Sequence, residues 1–159
     1  MKTFTVMVEK LTKYDLMKSA MEFTSDRCIE KLTDESIRWM YDAEHSPIRT
    51  QMWKIMLFNI PTYVSVHLVR HKIGVEHFVK SNRRSNEVVT RDTPVNHLIV
   101  ANAQAIINMA RVRLCGKADV KTQEVMREIV KVIANADPWL AEFLMPTCMR
   151  IGRCPERLS

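Results

Sequence analysis

Leu68-Val69-Arg70-His71-Lys72-Ile73-Gly74 ends an apolar segment in cations and an imidazole, and the chain continues through His77, Lys80, Ser81, Arg83 and Arg84. Over this stretch only Glu76 opposes the positive charge. Such a cluster repels itself unless solvent disperses it or an anion sits in it. A solvated basic loop and a phosphate cradle both fit the stretch taken alone. The surrounding chain has to separate them.

A length of 159 residues suits one domain, spanning residues 1–159, with a substantial core. The formal net charge is +6, which favours an anionic partner such as a nucleotide, a phosphate-bearing cofactor or nucleic acid. Met1-Lys2-Thr3-Phe4 opens no apolar run of signal-peptide length, and no stretch is apolar for the ~18 residues of a membrane span. A cytoplasmic protein is therefore expected, with no membrane partner and with Cys28, Cys115, Cys148 and Cys154 as reduced thiols.

Outward from the basic stretch, the apolar residues 52–60 read as a buried strand ending at Pro61. Thr62 then caps a helix from Tyr63 to Ile73 that Gly74 closes, which places Arg70, His71 and Lys72 in its last turn. Residues 75–91 have no clean period and read as an irregular loop, with a short strand possible at 75–79. Before it, residues 3–9 alternate as a strand, residues 14–23 form an amphipathic helix, and Thr33 or Asp34 caps another helix that stops at His45-Ser46-Pro47. After it, Asp92-Thr93-Pro94 reads as a helix start. With no Gly or Pro before Gly116, a helix of about 21 residues follows, roughly 30 Å long. Asp119 opens a further helix to Ala134, Asp137-Pro138 a short one to Met145, and the tail reads as irregular.

The long helix would carry Asn102, Gln104, Asn108, Arg111 and Arg113 within an apolar run. Asn is a poor helix-interior residue and buried polar groups need partners. Either these are exposed stripes, or the helix passes beneath a polar ligand. In helical geometry Asn102 and Arg113 project within about 20° of each other. His67 and His71 are spaced for one helix face, but no third ligand accompanies them and no metal is expected. Tyr and Trp are not interleaved with the basic residues, which argues against a nucleic-acid surface.

Arg70-His71-Lys72, then Ser81-Asn82-Arg83, resembles the Arg-His-Arg…Ser-x-Arg signature of the flavin-dependent thymidylate synthases. The resemblance extends in order over nearly the whole chain, through His45-Ser46-Pro47 and the Asn102…Asn108…Arg113-Leu114 spacing. It implies an α+β fold, a single mixed sheet packed with a helical bundle, assembled as a homotetramer that binds FAD. By that likeness His45, Ser46, Arg70, His71, Lys72, Asn102, Gln104 and Asn108 would hold the flavin. His67, Ser81, Arg83, Arg91 and Arg113 would hold dUMP, with Arg113 and Ser81 as catalytic residues. The implied reaction is reductive methylation of dUMP to dTMP, with methylenetetrahydrofolate as carbon donor and NADPH as reductant. Lys72 stands for the second Arg of the signature, the spacer before Ser81 is longer, and the connection from Arg84 to Pro94 is shorter than the family's. A related flavoenzyme acting on another pyrimidine nucleotide, and a basic nucleic-acid-binding protein without catalysis, are the competing readings.

Overall fold

A computed structural model describes residues 4–80 and 88–155. The first strand, β1 (Thr5–Lys10), is followed by helices α1 (Tyr14–Ser25) and α2 (Asp34–Asp42) and a 3-10 turn at Ser46–Thr50. Strand β2 (Met52–Pro61) and helix α3 (Thr62–Leu68) lead to two further strands, β3 (Val75–Val79) and β4 (Pro94–Asn102). Four helices complete the chain: α4 (Ala103–Arg113), α5 (Val120–Ala136), α6 (Pro138–Ala141) and α7 (Thr147–Ile151).

The strands form one sheet in the order β1-β2-β4-β3. All three pairings are antiparallel, where a mixed sheet was expected. Trp53, Ile55 and Leu57 of β2 and Val95, Ile99 and Ala101 of β4 are buried on alternate positions, the period of a strand with one covered face. Removing each large side chain from water contributes roughly 1.5–3 kcal/mol. The covering layer comes from Val64 and Leu68 of α3, Ile106 and Met109 of α4, and Val125, Ile129 and Ile133 of α5. The register of β2 on β4 shifts between Leu57 and Ile60. There Asn59 adopts φ +58°, and its N–H donates to Asn96 Oδ1 at 3.1 Å. Asn tolerates this left-handed conformation, and the inserted residue turns Ile60 back into the core.

The expected long helix is instead two elements. Residues 94–102 are β4, the central neighbour of β2, and only Ala103 onward is helical. Pro94 fits because it starts the strand, opposite Pro61, where its missing N–H removes little pairing. Asn102 therefore lies not within a helix but at its N-cap, its Oδ1 accepting from Ala105 N–H at 2.9 Å. The expected alignment of Asn102 with Arg113 on one helix face fails with it. Helix α3 likewise stops at Leu68, so Arg70, His71 and Lys72 sit in the 69–74 turn and not in a last helical turn. The tail, expected to be irregular, forms α7.

The other elements match the sequence reading, except that the short helix expected to reach Met145 ends at Ala141. Thr33 caps α2 through a reciprocal pair with Ser36, at 3.1 Å and 3.0 Å. Asp119 and Asp137 cap α5 and α6. Val75–Val79 is a strand. Among the described residues no helix is long and apolar enough to cross a membrane.

Candidate active site

The 69–74 turn is held at both ends. Its last residue, Gly74, has φ +71°, a conformation that favours glycine, and its carbonyl accepts the Asn102 N–H at 2.9 Å. This ties the turn to the point where β4 becomes α4. At the start of the turn, the His71 N–H donates to the Leu68 carbonyl at 3.1 Å. Arg70 and Lys72 are exposed on it.

Arg113, near the end of α4, reaches back to this turn. Its Nε donates to His71 Nε2 at 3.0 Å and its Nη2 donates to the His67 carbonyl at 2.5 Å. No carboxylate pairs with Arg113 among the described residues. Burial, then the charge of Arg70, hold its guanidinium below the usual arginine range. Burial, then Arg113 and His77, push the His71 imidazole down to about 4. It is neutral at physiological pH, and Arg113 occupies its Nε2, so its proton is on Nδ1.

His67 points the other way. Its Nδ1 lies 2.9 Å from Thr122 Oγ1, which donates to Asp119 Oδ1 at 3.2 Å. A carboxylate only accepts, so Thr122 takes the His67 Nδ1 proton and His67 Nε2 is left as an acceptor. The Tyr63 ring meets His67 edge-on with centroids 5.8 Å apart, and the Arg91 guanidinium lies over the Tyr63 ring, 4.7 Å from its centroid. Arg91 thus joins the His67 side of the cluster. Among the described residues no group of three or more His, Cys, Asp or Glu side chains could hold a metal ion.

A second cluster forms on α4 one turn earlier. Gln104 Nε2 donates to Glu44 Oε2 at 2.6 Å, and Arg111 forms a two-pronged ion pair with the same carboxylate. Asn108 lies beside them, its Oδ1 3.4 Å from Gln104 Nε2. Burial would raise the Glu44 carboxyl, but hydrogen bonds from Arg111 and Gln104 and the Arg111 charge outweigh it and hold it below the ordinary range. Glu44 has φ +51° and immediately precedes His45 and Ser46. His45 is exposed and stacks on Trp39 with ring centroids 4.6 Å apart. His45, Ser46, Trp39 and Met21 line a cavity of about 560 Å³.

Three solved structures share this arrangement of strands and helices. Thymidylate synthase X from Helicobacter pylori with FAD and dUMP superposes with TM-score 0.72 at 11% identity, over 89% of this chain and 99% of that one. The flavin-dependent thymidylate synthase ThyX of the same organism, complexed with FAD and dUMP, gives 0.75 at 12% identity, over 88% and 99%. The UMP/dUMP methylase PolB from Streptomyces cacaoi, bound with 5-Br dUMP, gives 0.68 at 13% identity, over 87% and 94%. The fold is that of the flavin-dependent thymidylate synthases. No protein-family model matches the sequence, and no curated protein does.

Within this fold, the predicted residues separate into two groups, to each of which α4 contributes: Arg113 to one, Gln104 and Asn108 to the other. Arg70, His71, Lys72, His67, Arg91, Asn102 and Arg113 gather at the turn. Gln104 and Asn108 gather with Glu44 beside His45 and Ser46. Ser81 and Arg83 lie outside the described residues. Sequence reasoning missed Glu44, whose signal is an acid just before His45-Ser46-Pro47 and across from a basic helix face. It also missed His97, which an alternating reading of 94–102 would have placed on the inward face; His77 was read only as part of the basic stretch.

Proposed function

We propose that this protein is a flavin-dependent methylase of a pyrimidine nucleotide, most simply a thymidylate synthase acting on dUMP. The observation that carries this reading is Arg113. It is a partly buried guanidinium with no carboxylate partner among the described residues, fixed by His71 and the His67 carbonyl beside a turn bearing exposed Arg70 and Lys72. Buried cations are normally paired, and this geometry leaves capacity for an anionic ligand. The neighbours bound to FAD and dUMP support the same ligands here.

The residues present fit a phosphate-bearing flavin nucleotide. Arg70, Lys72 and the His71 Nδ1–H offer donors on one turn, and Gln104, Asn108, His45 and Ser46 offer amide, imidazole and hydroxyl groups. When bound, the flavin supplies the hydride chemistry. Arg113 would stabilise negative charge developing on a pyrimidine carbonyl as C5 becomes nucleophilic, a role suited to a preorganised donor held by two contacts. His67 presents Nε2 as an acceptor, and Arg91 adds a cation for the nucleotide phosphate; Ser81 and Arg83 complete the set by sequence. Methylenetetrahydrofolate as carbon donor, NADPH as reductant and a homotetramer follow from the family resemblance.

The test is the visible spectrum of the purified protein with added FAD, followed by dUMP-dependent dTMP formation with NADPH and methylenetetrahydrofolate. A colourless protein that takes up no FAD removes the flavin reading. The second reading, methylation of UMP or another pyrimidine nucleotide, is favoured by the likeness to the UMP/dUMP methylase and by Lys72 in place of the second Arg. A point charge there replaces a bidentate fork. Flavin-positive protein that methylates UMP but not dUMP selects it.

A further inference from the structure

Beneath the turn lies a chain of polar groups that the proposed function does not use. Ser65 on α3 is 3% exposed and His97 on β4 is 1% exposed. Ser65 Oγ lies 3.1 Å from His97 Nδ1, His97 Nε2 lies 3.0 Å from His77 Nδ1, and His77 Nε2 lies 2.7 Å from the His71 carbonyl oxygen. A run of buried polar groups in an otherwise apolar sheet face is unfavourable unless every member is satisfied. Here each atom of the run has a partner, and the run ends on the turn.

The direction of every bond follows from its last member. A carbonyl oxygen only accepts, so His77 Nε2 carries a proton. In the neutral ring His77 Nδ1 must then accept, which puts the His97 proton on Nε2. His97 Nδ1 accepts in turn, and the Ser65 hydroxyl donates. Burial, then His77, push His97 down to about 4, in keeping with a neutral ring. At the far side Arg113 fixes His71 as the Nδ1–H tautomer.

We propose that Ser65, His97 and His77 are positioning residues: they form a one-directional hydrogen-bond relay that anchors the His71 carbonyl, so that Arg113 and the relay together fix the turn with the His71 Nδ1–H as a donor for an acceptor oxygen of the bound nucleotide cofactor. The choice of ligand rests on the flavin reading above; the relay itself does not.

The first test is long-range proton–nitrogen correlation spectroscopy on the uniformly nitrogen-labelled full chain at about pH 7.5, where an unperturbed imidazole is neutral. The expected pattern is His71 protonated on Nδ1 and His77 and His97 on Nε2. A neutral His77 carrying its proton on Nδ1, or a doubly protonated His77, overturns the relay. Ser65→Ala removes only the first donor. It is expected to shift His97 toward a mixture of tautomers; an unchanged His97 spectrum also overturns it. The second test compares His77→Leu with His77→Gln, which keeps a terminal N–H of similar reach. Flavin fluorescence should show FAD binding weakened about five- to tenfold in the first and restored to within about twofold in the second. Equal affinity in the Leu variant and the unmodified protein sinks the positioning role. If the unmodified protein takes up no FAD, the flavin reading falls, and the tautomer pattern still decides the relay. It decides likewise if the Leu variant does not fold.

Discussion

The Asn102 side chain occupies the space that a Cβ on Gly74 would need, with Nδ2 at 2.5 Å and Oδ1 at 2.9 Å from its ideal position. The same Asn102 caps α4 and donates its N–H to the Gly74 carbonyl. One contact thus joins the basic turn to the helix that carries Arg113.

Gly74→Ala should therefore damage both. A left-handed conformation costs a non-glycine residue about 1–2 kcal/mol, and displacing the cap costs about 1 kcal/mol more. Urea unfolding should show a loss of about 2–3 kcal/mol, against about 1 kcal/mol for Asn102→Ala. A glycine variant with unchanged stability would show that the contact does not hold the turn.

Glu44→Gln tests the second cluster. The folded Glu44 carboxyl lies below its ordinary 4.5, so the unfolded chain binds its proton more readily. The ion pair contributes stability above about pH 4.5, and that contribution fades as pH falls through the lower folded value. The Gln variant should lose about 1 kcal/mol at neutral pH and show a shallower acid limb below pH 4.5. Identical acid limbs for both proteins would argue against the pair.

The buried histidines set a different window. His71 and His97 fall to about 4 from an ordinary 6.5, so between those values the unfolded chain binds more protons than the folded one. Stability should therefore rise with pH across that interval. For one such group the slope approaches about 1.4 kcal/mol per pH unit. His97→Gln should flatten the profile by about one proton, measured as unfolding midpoints at several pH values.

Arg113→Ala should reduce turnover by about 10²–10³-fold even at saturating FAD, over and above any weaker FAD binding that follows from releasing His71, as expected for a donor that acts mainly on developing charge. Arg113→Lys should recover little, because an ammonium lacks the planar fork whose Nε and Nη2 reach His71 Nε2 and the His67 carbonyl from two separate nitrogens. Single-turnover kinetics with added flavin separates loss of chemistry from loss of binding.

Asp137→Ala serves as a contrast. Buried Asp137 accepts from Lys10 at 2.7 Å and from the Tyr41 hydroxyl at 3.0 Å, and it caps α6. Its loss should cost about 3–5 kcal/mol. Where the variant is still folded, FAD affinity should be unchanged to within about twofold.

The elements with local signals were legible in the sequence. Thr33-Asp34, Asp119 and Asp137-Pro138 are helix starts whose chemistry is complete within a few residues. Residues 94–102 were not, because Asp92-Thr93-Pro94 imitates a helix start and the run Leu98-Ile99-Val100-Ala101 masks the alternation of Val95, His97, Ile99 and Ala101. A buried central strand and a buried helix share such a run, and only pairing with β2 decides between them. The basic turn was visible as a cluster of charge. Its supports were not: Glu44 meets Arg111 across 67 positions and His77 meets His97 across 20. Such pairings belong to the topology, which placed His97 inward only once 94–102 was a strand.

The covering of β1 bears on how the protein is made. Val6 and Val8 pack into the core, and the element laid along their strand is α5, more than a hundred residues later. Lys10, at the end of the same strand, finds its carboxylate only at Asp137. During vectorial synthesis β1 therefore leaves the ribosome long before its cover exists. A chain halted after α4 could pair its strands yet would present an unshielded apolar face at β1. Completion of α5 is the step that covers this face, and premature termination before it should yield aggregate in place of a soluble, partly folded chain.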